Sequence, residues 1–523
     1  RPLGLSHEPT SSADRSASVQ DADLTLASDM PGGVRPYRHA VARVCHLTCY
    51  QIRASRYRMW QARPQSCRGA CANGARFSNN LVIVTLTQTL LDDLEHDLPP
   101  GTLLADDTAQ LAYESDALVH LRARPGAITL PRTTAEVQAI VRRCQQHKVP
   151  FVARGHGTGL SGGALPREDG VLIVLSRMNR VLHVDIPNRF VVVEPGVTNL
   201  EITKHVAADG CYYAPDPSSQ VVCSIGGNIA ENSGGAHCLK YGFTVHHVLG
   251  ARVVLPDGEV VTLGGPTLDP PELDLLGVIV GSEGTLGIVT EATVRILPRP
   301  EAVLTLLAGF DSIDWAGAVV STIIGRGIVP AAVEMMDRLT IDAAEAAVHP
   351  RFPASNAVLI VELDGPAVEV RELFATVEDV CRACGAESVE IAADASARER
   401  IWKGRKAAFA AMGRVSPNYY VQDGVVPRTR LPEVLRRIRE LEARSGLRIG
   451  NVFHAGDGNL HPLICYDESI PGEAARAETV ATEILQYCLD AGGSLTGEHG
   501  IGADKKGSMP KMFTAGDLDT MQR

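Results

Sequence analysis

The sequence lacks any run of about 18 consecutive apolar residues, the length that a membrane-spanning helix needs. The longest apolar candidate, NLVIVTLTQTLLDDLEHDL at 80–98, is interrupted by polar residues and ends in acidic ones. The sequence also lacks a positive excess, since 50 Lys and Arg stand against 61 Asp and Glu and give a formal net charge of −11. An acidic chain is poorly suited to nucleic acid or an anionic membrane as its main partner. We therefore expect no transmembrane segment and no nucleic acid partner.

Cysteine is present, but without a framework. The 12 cysteines follow no regular spacing in a chain of 523 residues. This excludes a small disulfide scaffold and favours a reducing compartment. The chain also contains two C-x3-C pairs, Cys45 with Cys49 and Cys67 with Cys71. These pairs could bind zinc, but the sequence around them lacks the pattern of folded structure and disfavours such a site.

Residues 1–80 are rich in Ser, Ala, Arg and Pro and show neither helical nor strand periodicity. Such a composition predicts a disordered or non-native extension. Acidic residues, among them Glu8 and Asp14, argue against an organellar transit peptide, which is poor in acids. The chain begins with Arg and stops at DLDTMQR, which leads us to expect a fragment that is truncated at its C-terminus.

From residue 81 onward, hydrophobic periodicity predicts ordered structure. A helix is expected over 81–96, within a helical lead-in that covers 81–121. Residues 122–300 carry mostly short strands, and the prolines at 297–302 mark the end of this domain.

The pattern changes in residues 301–523. Strand-like runs now alternate with longer amphipathic helices, which are expected at 313–325, 366–383, 394–412 and 431–444. This alternation is typical of helices packed on an antiparallel sheet. The fold class predicted for the chain is therefore α+β.

One stretch of the first domain, FVARGHGTGLSGGALP at 151–166, spaces Gly157, Gly159 and Gly162 like a dinucleotide fingerprint. Backbone N–H groups of such a loop can approach a pyrophosphate closely. A Rossmann fold also needs the loop to open a helix, but here Pro166 and the apolar run VLIVLS follow. The order strand, loop, strand predicts either a phosphate cradle outside a Rossmann fold or a simple connecting loop.

Two further segments have the same character, DPSSQVVCSIGGNIAENSGGAHCLKYG at 216–242 and GSEGTLGIVTEA at 281–292. Their Gly, Ser and Asn content leaves little to fill a core, so they are either solvated loops or backbone that lies against a ligand. Three such segments in one domain favour a large ligand that contains a pyrophosphate.

The second domain contains FHAGDGNLHPLI and, further on, GGSLTGEHGIGADKKG. His454 and His461 flank a tight Asp-Gly turn that could bring both imidazoles to one point. Together with Glu498 they suit zinc or manganese with positions open to substrate. His499 could act as a general base near neutral pH. The alternative is a set of ordinary loop histidines. We expect these residues to lie away from the glycine-rich segments of the first domain.

Six motifs in this order, RGHGTGLSGGALP, YYAPDPSS, GGNIAENSGGAHCLKYG, GSEGTLGIVTE, FHAGDGNLHP and TGEHGIG, resemble the FAD-linked oxidases of the vanillyl-alcohol oxidase/p-cresol methylhydroxylase superfamily. Within it the sequence is similar to the glycolate oxidase D-subunit family, with D-lactate and D-2-hydroxyglutarate dehydrogenases as relatives. The resemblance covers residues 95–523. It implies a p-cresol methylhydroxylase-type FAD-binding domain followed by an α+β substrate domain with an antiparallel sheet and helices.

The resemblance implies that FAD lies along the three glycine-rich segments. Some members tether the flavin through a loop histidine, but His156 does not fall at the expected position, so the FAD is expected to be non-covalent. The implied cofactor-binding residues are Arg154, Gly155, His156, Gly157, Thr158, Gly159, Leu160, Ser161, Gly162, Gly163, Pro217, Ser218, Ser219, Gly226, Gly227, Asn228, Asn232, Gly234, Gly235, Glu283, Gly284, Gly287 and Ile288.

The resemblance also implies a divalent metal, zinc or manganese, on His454, His461 and Glu498, with His499 as the catalytic base. Arg405, in IWKGRKAAF, is implied to grip the substrate carboxylate, for which a guanidinium fork is well suited. Its alternative is an exposed charge on a surface helix. A C-terminal segment that packs near the flavin in the family is missing here, so weakened FAD binding is expected.

The implied activity is oxidation of a small 2-hydroxy acid to the 2-oxo acid, with hydride transfer to flavin N5. The positions that hold the far carboxylate in D-2-hydroxyglutarate enzymes are Phe409, Val421 and Leu463 here, all apolar. This favours glycolate or D-lactate over a dicarboxylate. The same fold hosts an ether-lipid synthase that uses FAD without net oxidation, so a non-redox transferase is one alternative and an inactive fragment another.

Glycolate oxidase D subunits work beside a second flavoprotein-like subunit and an iron–sulfur subunit, and the resemblance implies such partners. The cysteines of this chain form no compact cluster of the iron–sulfur type, so electrons would leave through a partner or a diffusible acceptor. The implied location is the cytoplasm, or the inner face of the membrane through those partners.

Overall fold

A computed structural model of the chain describes residues 87–267 and 273–523. The predicted extension at 1–80, with its two cysteine pairs, lies outside the described residues. So do the first residues of the helix predicted at 81–96, which the structure describes as Gln88–Asp97.

The strands of the described residues are numbered here in chain order. They are β1 (Leu103–Leu104), β2 (Ala127–Thr129), β3 (Phe151–Arg154), β4 (Val171–Val174), β5 (Val181–Asp185), β6 (Phe190–Val193), β7 (Cys211–Tyr212), β8 (Val248–Val254), β9 (Val260–Gly264), β10 (Ile288–Arg295), β11 (Leu297–Pro298), β12 (Ala302–Phe310), β13 (Ala332–Asp337), β14 (Ala357–Gly365), β15 (Ser388–Ile391), β16 (Asn418–Val421), β17 (Gly424–Val425), β18 (Ile449–His454), β19 (Asn459–Leu460) and β20 (Pro462–Tyr466).

The α-helices connect and cover these strands. They span Gln88–Asp97, Asp107–Ala112, Thr134–His147, Asn199–Val206, Ile225–Glu231, Cys238–Tyr241, Leu276–Ile279, Ile313–Gly325, Arg338–Val348, Ala367–Ala383, Ala395–Ala411, Leu431–Ser445, Glu473–Asp490, Met509–Met512 and Ala515–Gln522.

The first half of the described chain forms two main sheets. One has the strand order β1-β2-β4-β3 and the other β5-β6-β10-β8-β9. Strands β3 and β4 are parallel neighbours, with Phe151 opposite Val171, and the glycine loop joins them without an intervening helix. The loop therefore follows the predicted order of strand, loop and strand, and a Rossmann arrangement is excluded.

The helix Thr134–His147 shows how local sequence produces the first sheet. The Thr133 hydroxyl accepts a hydrogen bond from the Glu136 amide at 3.2 Å, which satisfies one of the free donors of the first turn. Four apolar residues at helical spacing then face the sheet, and they are Val137, Ile140, Val141 and Cys144, all fully buried.

The second half forms a larger sheet of antiparallel strands, with the order β15-β12-β14-β13-β18-β19-β17 and with β16 and β20 joined to it through β18. Its two faces bury different helices because side chains alternate along each strand. On β12, Leu306 and Ala308 face one hydrophobic cluster and Leu307 faces the other. The helices Arg338–Val348 and Ala395–Ala411 cover the second cluster.

The α+β prediction for the chain is confirmed, and the four predicted helices of the second half are present within a few residues of their expected bounds. Sequence reasoning missed β13 and the helices Arg338–Val348 and Glu473–Asp490. Within the described residues, no helix combines the length and apolarity that crossing a bilayer requires.

Candidate functional site

A cavity of about 530 Å³ lies between the glycine-rich segments of the first half and the helix Ala395–Ala411 of the second. The predicted cofactor residues that line it are Gly155, His156, Gly157, Thr158, Gly159, Leu160, Pro217, Ser218, Ser219, Gly227 and Asn228. His461, Glu498 and His499 line the same cavity. The expectation that these residues lie away from the glycine-rich segments is therefore wrong.

A second, smaller cavity of about 80 Å³ adjoins the first and shares Gly155, Ala164, Gly227 and Glu231 with it. The predicted cofactor residues that line the smaller cavity are Arg154, Gly155, Gly163, Gly226, Gly227, Glu283, Gly284, Gly287 and Ile288. The glycine-rich segments thus line both cavities and form a wall that the two cavities share.

The remaining predicted cofactor residues stand behind this wall. Asn232 ends the helix Ile225–Glu231 in a left-handed conformation (φ 52°), and its Oδ1 accepts a hydrogen bond from the Val245 amide at 2.9 Å. The Ser161 carbonyl accepts a hydrogen bond from the Asp504 amide at 3.0 Å. Gly162, Gly234 and Gly235 likewise line neither cavity, so cofactor contact of these five residues stays a prediction.

The cavity wall fits a ligand that approaches the backbone closely. Gly157 has φ +70°, a conformation that residues with a Cβ rarely adopt, and a Cβ placed on Gly159 would point into open space. Backbone N–H groups in such a loop suit a pyrophosphate. The size and the wall thus agree with the FAD that the sequence predicts for this segment.

Two histidines and one glutamate converge in the second half. His454 is the last residue of β18, and His461 lies between β19 and β20, after a tight turn in which Gly458 has φ +82°. His454 Nε2 lies 3.2 Å from Glu498 Oε1, and His461 Nε2 lies 3.1 Å from the same oxygen. One ligand atom from each residue falls within 4.8 Å of the others, which is a separation that a single divalent metal can bridge.

Glu334 and Arg405 support this cluster from behind. Glu334 is fully buried on β13 opposite His454, whose Nδ1–H donates to Glu334 Oε1 at 2.8 Å. Arg405 Nε–H donates to Glu334 Oε2 at 2.7 Å. Arg405 is 2% exposed and is not among the residues that line the cavity, whereas the adjacent Lys406 is. The guanidinium predicted to grip substrate is therefore engaged with Glu334 in this structure.

Asp423 fixes the loop that carries Glu498 and His499. This fully buried carboxylate accepts hydrogen bonds from the Thr496 hydroxyl at 2.6 Å and from the amides of Gly497 and His499 at 2.9 Å each. It also forms an ion pair with Lys505 at 3.4 Å. Asp423 and His461 belong to a second group of possible metal ligands with His499, but the Asp423 oxygens already serve these donors, which favours the group that contains Glu498.

Burial and neighbouring charges set the protonation of the site. Burial lowers the pKa of His499 to about 4, against the opposing effect of Asp423, so the imidazole is neutral near pH 7. Burial alone would raise the pKa of Glu498, but His454 and His461 outweigh it and hold that pKa well below its usual value. The result is an ionised carboxylate beside a neutral imidazole.

Glu283 connects the two halves of the site. It has φ 52°, and its two carboxylate oxygens accept hydrogen bonds from the amides of Ile501 and Gly502, each at 2.7 Å. A segment predicted to contact FAD therefore also holds the loop that follows His499.

Sequence reasoning missed Glu334 and Asp423. The signal for Glu334 was a carboxylate within the apolar strand sequence AAVEMMD, since charged residues are rarely buried unless they are paired. The signal for Asp423 was weaker, because an Asp-Gly pair between strands is also an ordinary turn.

Comparisons with known proteins agree with this geometry. Residues 125–264 match the family described as FAD binding domain, and residues 299–523 match the family described as FAD linked oxidases, C-terminal domain. The two matched segments meet at one cavity and define an FAD-linked oxidoreductase.

The chain is 48% identical over 446 residues to the glycolate oxidase subunit GlcD of Escherichia coli (strain K12), which covers 85% of this chain and 89% of that relative. It is 30% identical over 430 residues to a D-lactate dehydrogenase of Anaerostipes hadrus, which covers 80% of this chain and 90% of that relative. The chain belongs to the GlcD family of FAD-linked oxidases.

The fold is shared more widely. The crystal structure of p-cresol methylhydroxylase with substrate bound superimposes with a TM-score of 0.71 at 16% identity, covering 83% of this chain and 94% of that chain. At this identity the likeness shows the fold alone, and it confirms the fold of the vanillyl-alcohol oxidase/p-cresol methylhydroxylase superfamily that the six motifs predict.

Proposed function

We propose that the protein oxidises a small 2-hydroxy acid, glycolate or D-lactate, to the 2-oxo acid. The observation that carries the proposal is the single cavity that the glycine-rich flavin segments share with His461, Glu498 and His499. The names of the GlcD and D-lactate dehydrogenase relatives support the same substrate class.

His499 is proposed as the base. A neutral imidazole in the cavity wall can accept the hydroxyl proton of the substrate, and its burial keeps it unprotonated at neutral pH. Asp423 positions its backbone amide, and Glu283 holds the residues that follow it. Bound FAD supplies the hydride acceptor for this oxidation.

His454, His461 and Glu498 are proposed to hold a divalent metal, zinc or manganese. Imidazole and carboxylate are suitable donors, and three protein ligands leave positions open. Such a metal supplies Lewis acidity toward a bound hydroxyl group. Glu334 keeps His454 in one orientation by accepting its Nδ1–H, an arrangement common among metal-bound histidines.

Lys406 in the cavity wall and Arg405, buried next to it beside Glu334, are proposed to supply the positive charge that attracts the near carboxylate of the substrate. Lys406 lines the cavity, and Arg405 directs Nε and Nη2 toward Glu334 Oε2, at 2.7 and 2.6 Å, which leaves Nη1 outside this ion pair. Arg405→Lys and Lys406→Met should each raise KM by the same factor for glycolate and D-lactate, because both acids present the same near carboxylate.

The apolar wall is proposed to exclude a second carboxylate. Phe409 and Val421 line the cavity, and the Phe409 ring lies 5.8 Å from the His461 ring. Leu463, the third predicted position, is instead fully buried opposite Val421 in the sheet. An unpaired carboxylate against this wall loses hydration without gaining a partner, so D-2-hydroxyglutarate should have a kcat/KM lower by roughly 10²-fold, about 2.8 kcal/mol. Equal kcat/KM for D-lactate and D-2-hydroxyglutarate would contradict this wall.

The direct test is anaerobic addition of glycolate or D-lactate to the FAD-loaded protein. Loss of the oxidised flavin absorbance within the time of turnover supports the proposal. A bound flavin that dithionite reduces and neither acid does would reject it and favour the non-redox transferase. Acid precipitation of the same sample should release the flavin into the supernatant, as expected for a non-covalent cofactor.

Electrons are proposed to leave through partner subunits, an iron–sulfur subunit and a second flavoprotein-like subunit. The relatives in Escherichia coli and Bacillus subtilis are each named as a subunit. Co-purification of the tagged chain with such partners, identified by mass spectrometry and by their iron content, would test this assembly.

A further inference from the structure

Glu231 is the one side chain shared by both cavities whose carboxyl group has no hydrogen-bond or ion-pair partner among the described residues. It is the last residue of the helix Ile225–Glu231, and its Oε2 is buried. A buried polar group without a partner costs free energy unless something absent from the structure satisfies it. The position of Glu231 in the wall of the cofactor cavity points to the cofactor.

The absence of a side chain at two glycines leaves room for this carboxyl group. A Cβ on Gly163, in the glycine loop, would lie 2.7 Å from Glu231 Oε1, and a Cβ on Gly500, next to His499, would overlap Oε2. The carboxyl group therefore lies between the glycine loop and the loop that carries His499. Because Oε2 lies beside Gly500, next to His499, a flavin ring within reach of His499 would lie near this carboxyl group, so we expect a contact with the ring rather than with the adenine end.

The charges around Glu231 oppose its ionisation. Burial raises its pKa well above the usual value, and Glu283, Asp116 and Asp423 act in the same direction. Lys505 acts in the opposite direction, but it is paired with Asp423 at 3.4 Å. The C-terminal end of a helix also disfavours a negative charge.

We propose that Glu231 is a neutral carboxylic acid that donates a hydrogen bond to an acceptor atom of the bound flavin ring. The inference rests on the proposed placement of FAD in this cavity. Flavin rings carry carbonyl oxygens and unprotonated nitrogens that accept such a bond. Because reduction makes these atoms richer in electrons, the donor stabilises the reduced flavin more than the oxidised flavin and raises its reduction potential.

The test compares Glu231→Gln and Glu231→Ala with the full-length wild type by anaerobic dithionite titration against a reference dye. The amide of Gln is a neutral donor, so this variant should keep the midpoint potential of wild type and a FAD dissociation constant within about twofold of it. Ala removes the donor and should weaken FAD binding about three- to tenfold, more for reduced than for oxidised flavin. The midpoint potential should therefore fall. Glu399→Gln, at an exposed glutamate, is the matched control and should change neither quantity.

Three outcomes overturn the proposal. A marked rise in the potential of Glu231→Gln would show that the wild-type group carries a negative charge. An Ala variant with unchanged potential would show that the group does not contact the ring, even if FAD binding weakens. If Glu231 is neutral, the infrared spectrum of the wild type should contain a protonated carboxyl band that disappears in Glu231→Gln. A wild-type spectrum without this band would show that Glu231 is ionised. Since dithionite replaces the substrate, the substrate proposal can fail while this one stands.

Discussion

Two clusters of this molecule each contain a largely buried histidine, and the hydrogen-bonding groups of the two histidines are satisfied to different extents. His237 donates to Asp216 at 2.9 Å and to Glu362 at 3.1 Å, and its ring stacks on Trp402 at 5.5 Å. His499 stacks on His461 at 4.9 Å, and its Nδ1 is buried without a partner among the described residues. Both ring nitrogens of His237 therefore have hydrogen-bond partners, whereas the Nδ1 of His499 keeps hydrogen-bonding capacity for a ligand.

The charge states of the two histidines differ because their neighbouring carboxylates differ. Burial alone would lower the pKa of His237, but Asp216 and Glu362 raise it to about 10, so the ring is an imidazolium at neutral pH. Burial lowers the pKa of His499 to about 4 because no carboxylate offsets it fully. A largely buried histidine between two hydrogen-bonded acids is thus a cation at neutral pH, and one whose acidic neighbours do not outweigh its burial is neutral, the state that the proposed base needs.

Removing a metal ligand should have the largest effect on activity. His454→Ala or His461→Ala deletes one of the proposed metal ligands, so kcat/KM should fall at least about 10³-fold, several kcal/mol of transition-state stabilisation. FAD should stay bound, because the glycine loop remains intact. Elemental analysis and the flavin spectrum are the measurements, with His205→Ala, an exposed histidine, as the control. Unchanged metal content in both variants would reject the ligand assignment.

Loss of the base should have a smaller effect and a different signature. His499→Asn removes the proton acceptor while the three metal ligands remain, so kcat/KM should fall about 10²- to 10³-fold. Metal and FAD content should match the wild type. A variant that loses its metal would place His499 in the ligand set, and one that keeps more than about a tenth of wild-type kcat/KM would remove it from the chemistry.

His237 should matter for stability rather than for chemistry. His237→Asn leaves the largely buried Asp216 without its cation, whereas Glu362 keeps Arg398 at 2.7 Å, so the free energy of unfolding should fall by about 3 kcal/mol. The flavin reduction rate at saturating substrate should change little in the folded protein. Denaturant unfolding and stopped-flow reduction measure the two quantities. If His237→Asn reduced flavin much more slowly and kept the free energy of unfolding of wild type, His237 would have a role in the chemistry and not in stability.

The smallest effect is a dependence of that stability difference on pH. The pKa of His237 is raised in the folded state, so its contribution is complete below the unfolded value of about 6.5 and is lost as the pH rises toward about 10. The free-energy difference between wild type and His237→Asn should shrink by about 2 kcal/mol between about pH 7 and about pH 9. A constant difference over this range would show that His237 is neutral in the folded protein.

Local sequence determined much of this protein. Periodicity and caps defined elements such as Thr134–His147, and Pro166 with the apolar run that follows the glycine loop argued against a Rossmann helix. The motifs around His454 and Glu498 marked the residues that converge in the structure. These signals are readable because they depend on residues within a turn or two of each other.

Tertiary structure decided what the motifs face. Glu334 meets His454 across 120 positions of sequence, and Glu283 meets Ile501 across 218. Whether Arg405 faces substrate or Glu334, and whether Glu231 is paired or left free, depends on which distant carboxylate or cation the fold places beside it. Burial and charge act through space, so the protonation of His237 and His499 follows from their neighbours in the folded chain and not from their neighbours in the sequence.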